Sequence, residues 1–260
     1  HALVHELVTG APAAKDVHYI KDFRYPNGGG FVSYIAPFHA EANLHMNHKV
    51  VAIDPDEKVV TFESGKQVPY GHLISSMPLP EIIPRIVGVP ADVQAACDSL
   101  AATTIVMVNI GIDKNDFSDA TWTYYYDEDI CVTRTSQPHR MSPSTVPPGC
   151  GSIQAEIYFS DKYKPLTVKP ESLIDQAIGD LRRCGLIPED ARVLFSSAHV
   201  AKYSYIIWDH DRAPALDIVH GYLDELGIRY CGRFGNWNYE WTDEAFMSGE
   251  SAAERVIESL

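Results

Sequence analysis

The chain has 260 residues, 35 acidic against 21 basic, and a formal net charge of −14. Its 45% hydrophobic and 22% charged residues suit a globular fold with one large core or two smaller ones. The acidic surplus excludes a nucleic-acid partner, because phosphate contacts need clustered Lys and Arg, and no apolar run of about 18 residues is present to span a membrane.

No secretory leader is visible. The five cysteines, Cys97, Cys131, Cys150, Cys184 and Cys231, are scattered and form no C-x-x-C pair. They read as reduced thiols of a cytoplasmic protein, with Cys131, Cys184 and Cys231 as small buried apolar groups. No His/Cys cluster has metal-ligand spacing, and no Ser-His-Asp set or general-base pair is evident. No catalytic side chain and no metal site is therefore assigned.

From the N-terminus, residues 1–22 read as a weak helix and loop. The run Tyr25-Pro26-Asn27-Gly28-Gly29-Gly30-Phe31 follows, with Val32, Ile35 and Phe38 spaced helically behind it. A glycine cluster opening a helix can seat an anion, or can be a plain flexible turn. Residues 47–77 are β-rich: a strand at 49–53, a turn at 54–58, a return at 59–62, a second turn at 64–66, and a buried strand at 73–77 stopped by Pro78. Residues 79–87 and 91–100 read as helices set off by prolines. Residues 103–112, TTIVMVNIGI, form a continuous apolar run rich in β-branched residues, the pattern of a central buried strand.

Over 121–137, TWTYYYDEDICVTRTSQ, alternation puts Trp122, Tyr124 and Tyr126 on one strand face. Asp127-Glu128-Asp129 turns the chain, and 130–135 returns carrying Arg134. Aromatic faces beside a forked guanidinium suit a nucleobase, a sugar or a diphosphate; the alternative is an aromatic hairpin with an arginine at its rim. Residues 140–151 read as Pro/Ser-rich loop and 152–160 as an alternating strand. Residues 170–184 form an amphipathic helix with Leu173, Ala177, Leu181 and Cys184 on one face. Residues 192–205 read as a long strand whose His199 is structural, and a helix runs from Asp211 and Arg212 to 226.

The most informative stretch is CGRFGNWNYEWTDEAFMSGESAA, Cys231 to Ala253. A short buried strand at 228–231 delivers Gly232-Arg233-Phe234-Gly235 as a turn. Trp237, Tyr239 and Trp241 follow as an aromatic loop, and Thr242-Asp243-Glu244 begins a helix. A helix N-terminus carries unpaired N–H groups and a partial positive charge. A Gly-Arg turn in front of it suits a phosphate or the electron-rich edge of a flavin; the alternative is a glycine turn before an ordinary capped helix.

GRFGNWNYE followed by AFMSGESAAERV resembles the C-terminal flavin-binding segment of the FAD-dependent amine oxidase and protoporphyrinogen oxidase superfamily. Within it the run is most like the UDP-galactopyranose mutases of eukaryotic type and their bacterial relatives. The resemblance is loose over most of the chain and sharp at 122–134 and 205–253. It implies an α/β fold of α+β character: a substrate-binding domain with a mixed or antiparallel sheet over 79–227, and the remainder of an FAD-binding domain at 1–78 and 228–260. It implies FAD as cofactor, contacted by Arg233 after Gly232, with the helix start near Phe246, Met247 and Ser248 aimed at the flavin. Gly29 and Gly30 match a Tyr-Pro-x-x-Gly-Gly element near the cofactor, and Val50 a valine whose backbone touches adenine. Trp122, Tyr124 and Arg134 match the substrate-pocket residues, the arginine binding the diphosphate of a sugar nucleotide, with Tyr205 and Tyr239 as its tyrosine partners. Two departures stand out. The run between Tyr239 and Phe246 is shorter than the family's, and Trp208 and His210 replace a proline-containing version of their element.

The resemblance implies the C-terminal part of an FAD-dependent enzyme that isomerises the ring of a nucleotide sugar at a reduced flavin. The protein then supplies positioning and electrostatics. Two alternatives stay open: a flavin-dependent amine or protoporphyrinogen oxidase-like oxidoreductase of another small molecule, and an inactive fragment. The second arises because His1 is not a Met and no strand followed by G-x-G-x-x-G opens the chain, so a dinucleotide-binding Rossmann half is expected to be missing. Any of the enzyme readings needs Arg134 and Arg233 to close on one cavity.

Overall fold

The computed structural model describes residues 24–260, so the helix and loop expected over 1–22 lie outside the described residues. After a short helix α1 (Ala36–Glu41), strands β1 (Val50–Asp54), β2 (Val59–Phe62) and β3 (Gln67–Pro69) form a small antiparallel sheet. β4 (Leu73–Ser75) ends before Pro78, and α2 (Leu79–Ile82) and α3 (Ala91–Ser99) follow. The main sheet contains β5 (Thr104–Ile112), β6 (Trp122–Tyr124), β7 (Arg134–Ser136), β8 (Gly151–Phe159) and β9 (Val193–Ala201). Its order is β6-β7-β8-β5-β9, antiparallel throughout. Helix α4 (Pro138–Met141) lies between β7 and β8, and α5 (Leu173–Arg183) crosses from β8 to β9. Helix α6 (Arg212–Glu225) leads to β10 (Ile228–Tyr230), which pairs in parallel with β4. The chain finishes with α7 (Gly232–Gly235) and the 16-residue α8 (Thr242–Ile257). Helices and mixed sheets give the expected α/β fold with α+β character. No helix of the described residues is long and apolar enough to cross a membrane.

Two apolar cores hold these elements. The first joins Ile53 and Val60 to Leu79 and Ile82 of α2, Val219 and Leu223 of α6, and Ile228 of β10. The expected domain boundaries at 78/79 and 227/228 therefore run through this core. The second core lies between the main sheet and α5, where Leu173, Ala177 and Leu181 meet Val108, Ile110, Ile153 and Ala155. Spacing of four residues per step puts those three α5 side chains in one stripe, and full burial of a leucine such as Leu181 stabilises by about 1.5–3 kcal/mol.

Several local expectations change. Cys184 is exposed, because α5 ends at Arg183 and Gly185 adopts a positive φ of 73° to close it, turning the chain off the buried stripe. Cys131 and Cys231 are half-buried, and Cys97 is the buried cysteine. The return of the hairpin starts at Arg134, not at 130. Tyr125 and Thr133 still pair through the backbone (2.9 Å), and residues 126–132 loop toward α5, where the Cys131 N–H donates to Asp180 (2.8 Å) and Arg183 pairs with Asp129 (3.0 Å). The 140–151 loop overlaps the end of α4, which Pro138 can open because a first-turn position needs no N–H partner. β9 stops at Ala201. Beyond it, Tyr205 brackets Thr103: the Thr103 N–H donates to the Tyr205 carbonyl (2.7 Å) and the Tyr205 N–H to Thr103 Oγ1 (2.9 Å). β5 is buried along one face; on its other face Ile105 is buried, while Met107, Asn109 and Gly111 are half-buried.

Candidate functional site

Register in the main sheet assembles the first part of the site. Arg134 on β7 stands opposite Tyr124 on one side and Glu156 on the other. Its Nε donates to Glu156 Oε2 (2.8 Å) and its Nη2 to Oε1 (2.6 Å), a two-pronged pair. Its Nη1 donates to the Tyr205 hydroxyl (3.0 Å). Glu156, only 3% exposed, also accepts the Tyr158 hydroxyl. Burial works against the charge on Arg134, yet its bonds to Glu156 hold its pKa above the ordinary value. Burial, and then the bond to Glu156, push the Tyr158 hydroxyl up, so it stays a neutral donor.

The segments after β9 and β10 supply the rest. The Tyr205 ring stacks on Tyr239, with centroids 5.8 Å apart and planes 13° from parallel. The Arg134 guanidinium lies 5.9 Å from the Tyr205 centroid and that of Arg233 lies 5.4 Å from it. Arg233 is also 5.1 Å from the Tyr239 centroid. The two arginines thus share one tyrosine ring. Thr103, Tyr124, Arg134, Tyr158, Tyr205 and Tyr239 line a cleft of about 320 Å³.

Arg233 reaches this place through backbone geometry. Cys231 is extended, and Gly232, at φ 72°, turns β10 into α7, a helical turn where a non-helical one was expected. The Arg233 Nε and Nη2 donate to the Glu240 carbonyl (2.9 and 2.5 Å), and Nη1 donates to the Ser204 carbonyl (3.2 Å). Among the described residues no carboxylate pairs with it. Behind it, the Gly232 N–H donates to Ser248 Oγ (2.6 Å), and Asn236 Nδ2 donates to Ser248 (3.1 Å) and to Glu240 Oε1 (2.6 Å). The buried Glu240 Oε2 has no partner among the described residues.

Tyr124, Arg134, Tyr205, Tyr239 and Arg233 are therefore brought together. Trp122 stands farther along β6, opposite Ser136, and does not line the cleft. Trp237, expected in an aromatic loop, is fully buried in the first core at φ 48°, its carbonyl accepting from Arg212 Nη2 (2.7 Å). Gly29 and Gly30 donate to Ser144 (3.1 Å) and Ser142 (3.2 Å) of the loop after α4. The Val50 carbonyl accepts from Arg85 Nε (3.0 Å). Helix α8 begins at Thr242, where Glu244 takes the Trp241 N–H (2.8 Å), so Phe246, Met247 and Ser248 fall in its second turn and not at its start. Phe246 and Met247 are exposed, and Phe246 meets Phe38 at 5.4 Å. Sequence reasoning missed Glu156, Tyr158 and Thr103. The alternation Gln154, Glu156, Tyr158 in the 152–160 strand marks two of them on the face that also bears Arg134.

The sequence pattern described as flavin containing amine oxidoreductase matches residues 19–257. A reduced UDP-galactopyranose mutase structure superposes with a TM-score of 0.83 at 23% identity, covering 91% of this chain and 52% of that one. A protein from Exiguobacterium sp. 255-15 assigned as a protoporphyrinogen oxidase gives 0.69 at 11% identity, over 89% and 51%. An oxidoreductase from Methanosarcina mazei gives 0.59 at 14% identity, over 87% and 55%. These likenesses concern the fold, and the chain spans about half the length of the solved chains it matches. No curated protein matches it in sequence.

A flavin, FAD, is the cofactor of such a family, and the residues present fit part of its cradle. A Cβ built on Gly232 would meet nothing within 4 Å, and beside that open backbone lie the Ser248 hydroxyl and the unpartnered Glu240 oxygen. A pattern that matches nearly the whole length, on a fold shared with flavoenzymes, establishes that this chain belongs to the flavin containing amine oxidoreductase family.

Proposed function

We propose that the chain is the substrate-binding part of an FAD-dependent enzyme acting on a nucleotide sugar, in the manner of a UDP-galactopyranose mutase. The observation that carries this reading is the cleft in which Tyr124, Arg134, Tyr205 and Tyr239 meet, with Arg233 against the last two rings. Tyrosine hydroxyls donate to phosphate oxygens without adding charge, and the remaining N–H groups of Arg134 supply oriented donors. Stacked rings flank the bound group and exclude water. Arg233, held by carbonyls alone, keeps an uncompensated positive charge beside Tyr205. Gly232, Arg233 and Ser248 are the residues that would hold the flavin, which when bound supplies the redox-controlled nucleophile for ring isomerisation. The chain's own residues bind the diphosphate, orient the sugar and retain the leaving nucleotide.

A second reading has its own support. Glu156 neutralises Arg134, so the residues lining the cleft are mostly aromatic and, among the described residues, Arg233 is the one uncompensated charge beside it, which also suits an oxidoreductase of the amine or protoporphyrinogen oxidase kind acting on a less charged substrate. Titration with UDP separates the two. The mutase-like reading expects UDP to bind the purified chain and Arg134→Ala to weaken it at least tenfold. UDP binding left untouched by that change would retire it. Absorbance of purified protein after FAD addition reports, separately, whether this chain holds the cofactor unaided.

A further inference from the structure

Two segments far apart in the chain build the stacked tyrosine wall of the cleft. Tyr205 lies between β9 and α6, and Tyr239 between α7 and α8. Their rings stack with centroids 5.8 Å apart. Thr103 ties Tyr205 to the main sheet, but among the described residues no strand ladder includes Tyr239. Arg212, the first residue of α6, joins the two segments. Its Nε and Nη2 both donate to the Trp237 carbonyl (3.1 and 2.7 Å), and its Nη2 approaches Asn238 Oδ1 at 3.4 Å. Tyr205 stands seven residues before Arg212, and Tyr239 two after Trp237. Farther along α6, His220 Nε2 donates to the Gly235 carbonyl (3.1 Å), so the helix holds the same segment at a second point.

Helix stability does not account for an arginine here. A positive charge in the first turn opposes the helix dipole, and the first turn of α6 carries no acidic residue to offset it. The carboxylates just before it, Asp209 and Asp211, are paired with Lys162 (2.8 and 2.7 Å). Burial pushes the Arg212 pKa down, the reverse of what an ion pair would do. Trp208 lies over the guanidinium, its ring centroid 4.3 Å away, and covers one face of it. What the guanidinium meets is the carbonyl of a buried tryptophan at φ 48°, a left-handed conformation disfavoured for any residue with a Cβ. Two N–H groups of a planar fork on one carbonyl fix its direction as well as its distance; a lysine ammonium would fix the distance alone.

We infer that Arg212 is a positioning residue of the cleft: it pins the Trp237 turn to the start of α6 and thereby sets the Tyr239 ring on Tyr205. Only the binding arm of the test rests on the nucleotide-sugar reading; the ring geometry does not. The ring resonances of Tyr205 and Tyr239 are followed by NMR in the full chain carrying isotope-labelled tyrosine, assigned by single Tyr→Phe changes, with Tyr70 and Tyr125 as controls away from the stack. Arg212→Ala is expected to shift Tyr205 and Tyr239 and to leave the controls in place, and methylguanidinium added to that variant is expected to return them. UDP is expected to bind Arg212→Ala about tenfold more weakly and to recover with methylguanidinium. Arg212→Lys, which keeps the stem and the charge but not the fork, is expected to fall between, and it carries the same readout if the alanine variant does not fold. Tyr205 and Tyr239 unmoved in Arg212→Lys overturn the inference. So does a shift of all four tyrosines alike, the mark of a merely structural role. A wild-type chain that ignores UDP while the two rings move as expected retires the nucleotide reading and keeps the positioning role.

Discussion

Replacing Glu156 by alanine tests the electrostatic centre of the site. The change removes both hydrogen bonds to Arg134 and the acceptor of the Tyr158 hydroxyl. It leaves a guanidinium without its counter-ion in a place where only 25% of the side chain meets solvent. Breaking one half of a fully buried pair costs about 3–5 kcal/mol, and the water that reaches Arg134 reduces this to about 2–3 kcal/mol. For a chain of this size that is a fall in Tm of roughly 5–10 °C. Urea and thermal unfolding followed by circular dichroism read the loss directly. Removing both partners, as Arg134→Met/Glu156→Leu, should recover most of it, because no unpaired charge then remains. A Glu156→Ala protein within about 0.5 kcal/mol of wild type, or a double variant whose loss is the sum of the singles, would refute the reasoning.

Two further outcomes follow from single residues. Glu81 is held down to about 2 from an ordinary 4.5, chiefly by its hydrogen bond from Lys202, with Tyr203 and Arg85 adding to it. Its folded pKa lies below its unfolded one, so its contribution is full above pH 4.5 and is lost as pH falls through about 2. Glu81→Gln should therefore cost about 1 kcal/mol at pH 7, with the gap from wild type closing over that acidic window, as chemical denaturation at stepped pH would show. Gly232→Ala should lose about 1–2 kcal/mol from its φ of 72° alone, since no atom lies within 4 Å of the added methyl group, and asparagine there should cost less than alanine in the same melt.

What was legible in the sequence was local. Strands 59–62 and 152–160, the helix behind Asp211 and the striped face of α5 follow from alternation and four-residue spacing. Each of those signals survives because burial of one face rewards it. The Arg134 hairpin was partly legible: its aromatic alternation holds at Trp122 and Tyr124, while 126–132 leave the ladder and make contacts to Asp180 and Arg183. Trp237 shows the opposite failure. Its place in an alternating aromatic run reads as loop, yet it is fully buried in the first core at a positive φ. The capping residues mark the start of α8 at Thr242, and Phe246–Ser248, expected near that start, fall one turn later, past the free N–H groups. Glu156 was missed for a different reason. It sits 22 residues from Arg134, and a cross-strand partner is specified by register, which no spacing within either strand encodes.

That compensating carboxylate alters how the cleft should capture an anion. The chain as a whole, at −14, repels a dianion at long range. An unpaired Arg134 would counter this through its charge, and its pull would weaken as salt shortens the Debye length from about 10 Å at 0.1 M to about 3 Å at 1 M. With Glu156 attached, Arg134 acts mainly through direction: the N–H groups not spent on Glu156 and Tyr205 remain as donors in a cleft that Tyr239 also lines. Arg233 adds charge, but at a point enclosed by two rings and two carbonyls, where mobile ions screen it little. Recognition by oriented donors at contact distance is short-ranged. UDP affinity measured at 0.1 M and 1 M salt should accordingly differ by less than about threefold in the wild-type chain, and by more in Glu156→Gln, where the arginine charge is exposed. A wild-type affinity that falls tenfold or more over that range would mean that net charge, not the geometry of the tyrosine and arginine donors, governs binding in this cleft.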